Sequence, residues 1–236
     1  MTDTPLNDRE LAALRALDTP TVCNALELLA PERRGFGFTI HPLVCVFPKL
    51  PPMVGYARTA TIRATQPSAR AKADQDRLMF DYYDYVAAGP GPRISMVQDL
   101  DGPEAGRGAL WGEVNTAVHK ALGCLGVVTN GSVRDIRMIA EGFQLLAGSV
   151  GPSHAFVHMV DFGGEVNVAG MVVRSGDLIH ADEHGAVIVP HAVARRVAAA
   201  AEAVARREAV VLAACRDPAF NVDKLKRAVA AGQEMH

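Results

Sequence analysis

No two of the four cysteines, Cys23, Cys45, Cys124 and Cys215, are close enough in sequence to form a CxxC pair. A disulfide framework or a thiolate zinc site is therefore disfavoured, and a reducing, cytoplasmic setting is expected. Charge of one sign is lacking too. With 24 basic against 26 acidic residues, the net charge of −2 gives no reason to expect nucleic acid or an anionic membrane as partner. The basic residues Arg195, Arg196, Arg206 and Arg207 are interrupted by Glu202 and Glu208, the pattern of a solvated helix face. No apolar run reaches membrane-spanning length, and Met1-Thr2-Asp3-Thr4-Pro5 lacks the basic start and apolar stretch of a secretory signal. Linkers, low-complexity tracts and fixed-period repeats are missing as well, so the 236 residues are expected to form one α/β domain with helical ends.

What is present is a run of alternating elements. Asn7 is placed to cap a helix over 8–17, and Thr19-Pro20 to start a second over 21–29. Residues 31–52, rich in proline and glycine, are expected to be mostly irregular. Strands are expected at 56–65, 93–98, 125–129 and 143–150, with helices at 71–87, 110–122 and 133–141 between them. In the 110–122 helix, Trp111, Val114, Val118 and Ala121 fall at helical spacing. Strand–helix–strand order implies parallel strands with right-handed crossovers, which deliver successive helix starts to one sheet edge, where such folds bind ligands. Short strands come next at 156–161, 166–173 and 186–189, with a turn at 175–177. A long helix over 192–215 and a last one, capped by Asn221 and ending at Gly232, complete the chain.

The most informative segment is Gly126-Val-Val-Thr-Asn-Gly-Ser-Val-Arg-Asp135. It reads as a buried strand, a tight turn at Gly131, and a helix whose first turn carries Arg134 and Asp135. Free N–H groups and the helix dipole favour an anion there. Arg134 adds a planar donor fork for a carboxylate or enolate oxygen, and Asp135 a hard oxygen ligand for Mg²⁺ or Mn²⁺. Taken alone, the pair is better explained by Asp135 complementing the dipole with Arg134 in solvent. Glu113, just after Gly112 at the preceding helix start, shifts the balance toward a site for a metal-bound 2-oxo acid.

These residues, with Leu17-Asp-Thr-Pro-Thr-Val-Cys-Asn-Ala25, Trp111-Gly-Glu113 and Gly176-Asp-Leu-Ile-His-Ala-Asp-Glu-His-Gly-Ala-Val-Ile-Val-Pro190, resemble a known family. It is the one shared by 4-hydroxy-4-methyl-2-oxoglutarate aldolases and RraA, the regulator of ribonuclease E. The resemblance implies a three-layer swivelling β/β/α domain, with its core at about 17–190 and C-terminal helices over 191–236. It also implies a homo-oligomer, trimer or hexamer, with sites between subunits. Asp135 would hold Mg²⁺ or Mn²⁺ with Glu113 assisting through water, and Arg134 would contact the oxygen that becomes the enolate. Trp111, Gly112 and Val114 would line the substrate. Glu208 is the match for a glutamate that reaches a neighbouring subunit's site. Members that act only as regulators lack the metal-binding aspartate, so Asp135 argues for an aldolase or decarboxylase of a pyruvate-derived 2-oxo acid. The other reading is a non-catalytic, protein-binding regulator of RNA degradation. Asn24 and Asn130 depart from aspartates common in the family.

Other motifs carry less. Gly106-Arg-Gly-Ala-Leu-Trp-Gly112 is one residue too long for a dinucleotide loop. His154 with His158, and His180 with His184, have the spacing of metal pairs but fall outside helices, so hydrogen bonding in hairpins is expected. Asp182, His184 and Gly185 read as turn chemistry. Ser132 lacks a GxSxG elbow. Tyr82, Tyr83, Asp81 and Asp84 are placed on an exposed helix face.

Overall fold

The computed structural model describes residues 4–233; residues 1–3 and 234–236, the outermost parts of the expected domain, lie outside it. Two capped helices open the chain. In α1 (Asp8–Arg15) the Asn7 side chain accepts from the Glu10 N–H at 3.0 Å, and Glu10 accepts from the Asn7 N–H at 2.9 Å, a complete capping box. In α2 (Thr19–Leu29) Asp18 is the cap, accepting from the Thr21 N–H at 2.8 Å, so the helix starts two residues earlier than expected. The 31–52 stretch is largely irregular, with a single 3₁₀ turn at Pro31–Arg33 and the two-residue strand β1 (Val44–Cys45).

Next come β2 (Met53–Arg63), α3 (Lys72–Ala87), β3 (Arg93–Asp99), β4 (Ala109–Trp111), α4 (Glu113–Ala121), β5 (Cys124–Val133) and β6 (Gln144–Val150). The chain continues through β7 (His158–Phe162), β8 (Val166–Val168), β9 (Met171–Val173), β10 (Leu178–Asp182) and β11 (Gly185–Val189). It ends in α5 (His191–Ala194), α6 (Val197–Cys215) and α7 (Val222–Gln233), the last capped by Asn221 as expected. The main sheet runs β1-β6-β5-β3-β2-β10-β11, with β4 added on β5 and β7 on β2, while β8 and β9 form a separate hairpin. The β2–β3, β3–β5 and β5–β6 pairs are parallel, as the alternating elements require.

Three apolar clusters define the layers. Met53, Met96, Val128, Leu146 and Ile179 face the β8–β9 hairpin. Val97, Trp111, Val127, Leu145 and Phe143 pack on the opposite face with Tyr82 and Val86 of α3. Leu14, Val22 and Leu26 join Leu178, Val189 and Val197 where α1, α2 and α6 close on the antiparallel strands. The result is a nearly closed, barrel-like sheet with helices at both ends, the swivelling β/β/α arrangement.

Several elements differ from expectation. Residues 133–141 are not a helix. Val127, Val128, Thr129 and Val133 favour extended backbone, so β5 continues past Gly131 to Val133, with its register against β6 shifting between Thr129 and Ser132, and only a 3₁₀ turn at Ile136–Met138 comes after it. The expected 110–122 helix begins at Glu113, because residues 109–111 pair as β4 with β5. Val114 is 73 % exposed, and α4 buries Thr116 and His119 instead of the apolar stripe. The 166–173 strand is the β8–β9 hairpin. Strand β10, unexpected, is fully buried and carries His180 and Asp182. The long helix is divided into α5 and α6. Tyr82, expected in solvent, is completely buried, and Tyr83 is packed against the same core.

Candidate active site at the start of helix α4

The two segments that carry the chemistry meet through strand pairing. Strand β4 lies parallel to β5, with Trp111 opposite Val133, and the Arg134 N–H donates to the Trp111 carbonyl at 2.8 Å. The residues beyond Trp111 are therefore set beside those beyond Val133: Gly112 and Glu113 against Arg134 and Asp135. The convergence expected from the sequence exists, but parallel pairing produces it and not two crossover helices. One helix start serves the site, that of α4.

Asp135 sits in the left-handed region, φ 55° and ψ 36°, which aspartate tolerates better than most side chains. This turns its carboxylate back toward α4. Oδ2 lies 3.4 Å from the Glu113 N–H and 3.6 Å from Arg134 Nη1. Both side chains remain about one-third exposed, at 34 % and 35 %, so their pairing contributes little to stability. Arg134 Nε is buried and has no partner among the described residues.

Gly112 is where a side chain is excluded. A Cβ there would stand 2.5 Å from Asp135 Oδ2 and 3.2 Å from Arg134 Cγ. The absence of that carbon also leaves α4 without a side-chain cap. The Val114 and Asn115 N–H groups precede the first intrahelical bond, Thr116 N–H to the Gly112 carbonyl at 3.0 Å. A helix start of this kind favours a carboxylate. Glu113, Arg134 and Asp135 line none of the larger cavities.

Beneath it lies a layer that the sequence reading missed. Trp111 is fully buried, so it supports the site through packing and its main chain, while its side chain cannot reach a substrate. The His119 ring lies against it, centroids 4.5 Å apart. His119 Nδ1 meets the Asn115 carbonyl at 2.7 Å and must carry the proton, which leaves Nε2 to accept from the Tyr82 hydroxyl at 2.9 Å. Burial pushes the His119 pKa down to about 4 and raises that of Tyr82. The sequence signal was the break in the apolar stripe of α4 at Thr116 and His119.

Glu208 is exposed on α6, which packs on α1, α2 and α7, and is not part of this cluster. Among the described residues, one trio of potential metal ligands comes within 4.8 Å, Asp182, Glu183 and His184. The Asp182 carboxylate there is already engaged, by the Thr19 N–H at 2.7 Å and by the His184 N–H at 2.8 Å. This is the turn chemistry expected. His180 is likewise structural: Nε2 faces the Leu14 and Leu17 carbonyls at 3.1 Å, and Nδ1 accepts from the Thr19 hydroxyl at 3.0 Å. The donor set at Asp135 suits a hard cation such as Mg²⁺, which one or two carboxylates with waters commonly hold. The space that a Gly112 Cβ would fill adjoins it.

Among solved structures the chain is similar over 98 % of its length to an uncharacterized protein from Pseudomonas syringae pv. tomato, covering 97 % of that chain at 22 % identity and a TM-score of 0.72. It is also similar to RraAS2 of Streptomyces coelicolor, described as an unusual member of the RNase ES inhibitor RraA family. That match covers 87 % of this chain and 96 % of the other at 20 % identity, with a TM-score of 0.68. At these identities the likeness establishes the fold. No curated protein sequence matches the chain. No helix among the described residues is long and apolar enough to cross a membrane. A family model, RraA-like (Aldolase/RraA), matches residues 19–188, a span that contains Trp111, Gly112, Glu113, Arg134 and Asp135, and the chain belongs to that family.

Proposed function

We propose that the protein is a divalent-metal-dependent lyase that breaks a C–C bond in a small, pyruvate-derived 2-oxo acid, as an aldolase or a decarboxylase. The family contains both enzymes and ribonuclease E inhibitors. One observation carries the enzymatic reading: the Asp135 carboxylate, held by a left-handed backbone, lies 3.4 Å from the N–H that opens α4, with the Arg134 guanidinium beside it.

In this reading Asp135 holds Mg²⁺ or Mn²⁺, with Glu113 assisting through water. When bound, the ion supplies Lewis-acid polarisation of the 2-oxo group. The chain's own groups do the rest. The Val114 and Asn115 N–H groups receive the substrate carboxylate. Arg134 stabilises the negative charge that gathers on the 2-oxo oxygen as the C3–C4 bond breaks and its electron pair forms the pyruvate enolate, an effect of roughly 3–4 kcal/mol for a preorganised donor. Glu113, exposed at the helix start, relays the proton to the pyruvate enolate through water. Glu208 is assigned to a neighbouring subunit's site in a trimer or hexamer.

Release of pyruvate from oxaloacetate and from a panel of 4-hydroxy-2-oxo acids, with Mn²⁺ and then with EDTA, tests the reading. Metal-dependent release is expected. No release from any of them would favour the second reading, a regulator of RNA degradation, which the likeness to Streptomyces coelicolor RraAS2 supports.

A further inference from the structure

Asn115, the third residue of α4, stands at the position from which a helix-start side chain often turns back to cap the chain. Here the side chain faces away from the helix. Its Nδ2 donates to the Leu110 carbonyl at 2.7 Å, and its Oδ1 accepts from the Tyr83 hydroxyl of α3 at 3.0 Å. The Leu110 carbonyl can only accept, so the orientation of the amide is fixed. The Asn115 carbonyl is held as well, by His119 Nδ1 at 2.7 Å, and His119 in turn takes the Tyr82 hydroxyl at 2.9 Å.

Both ends of the Asn115 side chain are thus engaged by tertiary contacts, and the Val114 and Asn115 N–H groups stay uncapped from within the helix. The same contacts set where those donors lie. Gly112 gives the first turn no side-chain cap, and the strand before it, β4, is three residues long. That strand receives the Arg134 N–H at the Trp111 carbonyl, at 2.8 Å, and Asn115 Nδ2 at the Leu110 carbonyl. The turn of α4 that offers main-chain donors and the segment that carries Arg134 and Asp135 are therefore fastened to adjacent carbonyls of one strand. A small ligand gripped by a cation at one point and by main-chain donors at another needs that spacing held to within about 0.5 Å. Burial raises the Tyr83 pKa above its ordinary value of 10, so its hydroxyl remains a donor throughout the neutral range.

We infer that the Asn115 side chain, supported by Tyr83, is a positioning group that holds the first turn of α4 so that its N–H groups meet the carboxylate of a 2-oxo acid. The inference rests on the lyase reading above and adds to it the side chains that aim its anion-binding donors. The Asn115 side chain touches no reacting atom. It acts on the grip on the acid, which is the same in the ground and transition states, so its loss raises KM more than it lowers kcat. Asp135 follows β5 and makes no contact with Asn115 or Tyr83, so the affinity for a cation is independent of both.

The experiment titrates Mn²⁺ and then pyruvate onto the unaltered protein, Asn115→Ala and Tyr83→Phe, followed by electron paramagnetic resonance. It also measures kcat and KM on the acid of the panel above that releases pyruvate fastest. Asn115→Ala is expected to weaken pyruvate binding and raise KM by about tenfold, with kcat and Mn²⁺ affinity within about twofold of the unaltered values. Tyr83→Phe keeps the ring and removes only the hydroxyl, and the same pattern at about threefold is expected. Should Asn115→Ala not fold, Tyr83→Phe decides alone. Unaltered pyruvate affinity in the folded variants, a fall in kcat with KM unchanged, or an equal loss of Mn²⁺ affinity overturns the inference and leaves the lyase reading standing. Failure of the unaltered, Mn²⁺-loaded protein to bind pyruvate overturns both.

Discussion

At the start of α2 the main-chain donors are satisfied by carboxylates within or beneath the helix. Asp18 takes the Thr21 N–H, the buried Asp182 takes the Thr19 N–H at 2.7 Å, and Pro20 has none to offer. At the start of α4, Gly112 provides no side chain, and the nearest carboxylate comes from another strand at 3.4 Å. The Val114 and Asn115 donors are left over. Both are helix N-termini on one sheet, but the first completes itself and the second waits for a ligand. Local caps contribute stability; an open start with a charged, one-third-exposed pair beside it is a place for chemistry.

Changes at the two starts should therefore separate activity from stability. The largest effect is expected for Asp135→Ala, which should abolish metal-dependent pyruvate release while circular dichroism remains unchanged. Arg134→Lys keeps the charge but removes the planar fork, and kcat should fall by about 10²-fold. Gly112→Ala places a methyl 2.5 Å from Asp135 Oδ2. Turnover should drop by roughly tenfold or more with little change in melting temperature, since a misplaced group alters rate more than fold. At the other start, Asp18→Ala should lower stability by about 1 kcal/mol and leave turnover as it was.

Acid should act on the layer beneath α4. Folded His119 takes up a proton only near pH 4, whereas in the unfolded chain it does so near its ordinary value of 6.5. As pH falls through that window the unfolded state binds the extra proton, so stability present at pH 7 is lost, by up to about 3 kcal/mol at pH 4. Denaturant melts of the protein and of its His119→Gln variant would show whether the variant flattens this dependence.

Much of the fold was legible because its signals are local. The caps at Asn7 and Asn221, and the apolar and β-branched runs of β2, β3 and β5, depend on near neighbours. What escaped depends on partners far along the chain. Strand β10 carries His180 and Asp182, whose hydrogen bonds go to Thr19 and Leu14 more than 160 residues away, so a buried strand looked like a polar turn. Tyr82 looked like a surface residue because His119, which receives its hydroxyl, lies on another helix. The site residues Glu113, Arg134 and Asp135 were found for a reason the fold replaces: in place of a helix at 133–141, β5 runs on to Val133, and its pairing with β4 brings the three together.

Manganese binding followed by electron paramagnetic resonance, with and without pyruvate, addresses the open start of α4 most directly. The unaltered protein should bind Mn²⁺, its spectrum should change when pyruvate is added, and both effects should vanish in Asp135→Ala. Undiminished binding in that variant, or loss of binding only when the Asp182–His184 turn is altered, would contradict the assignment.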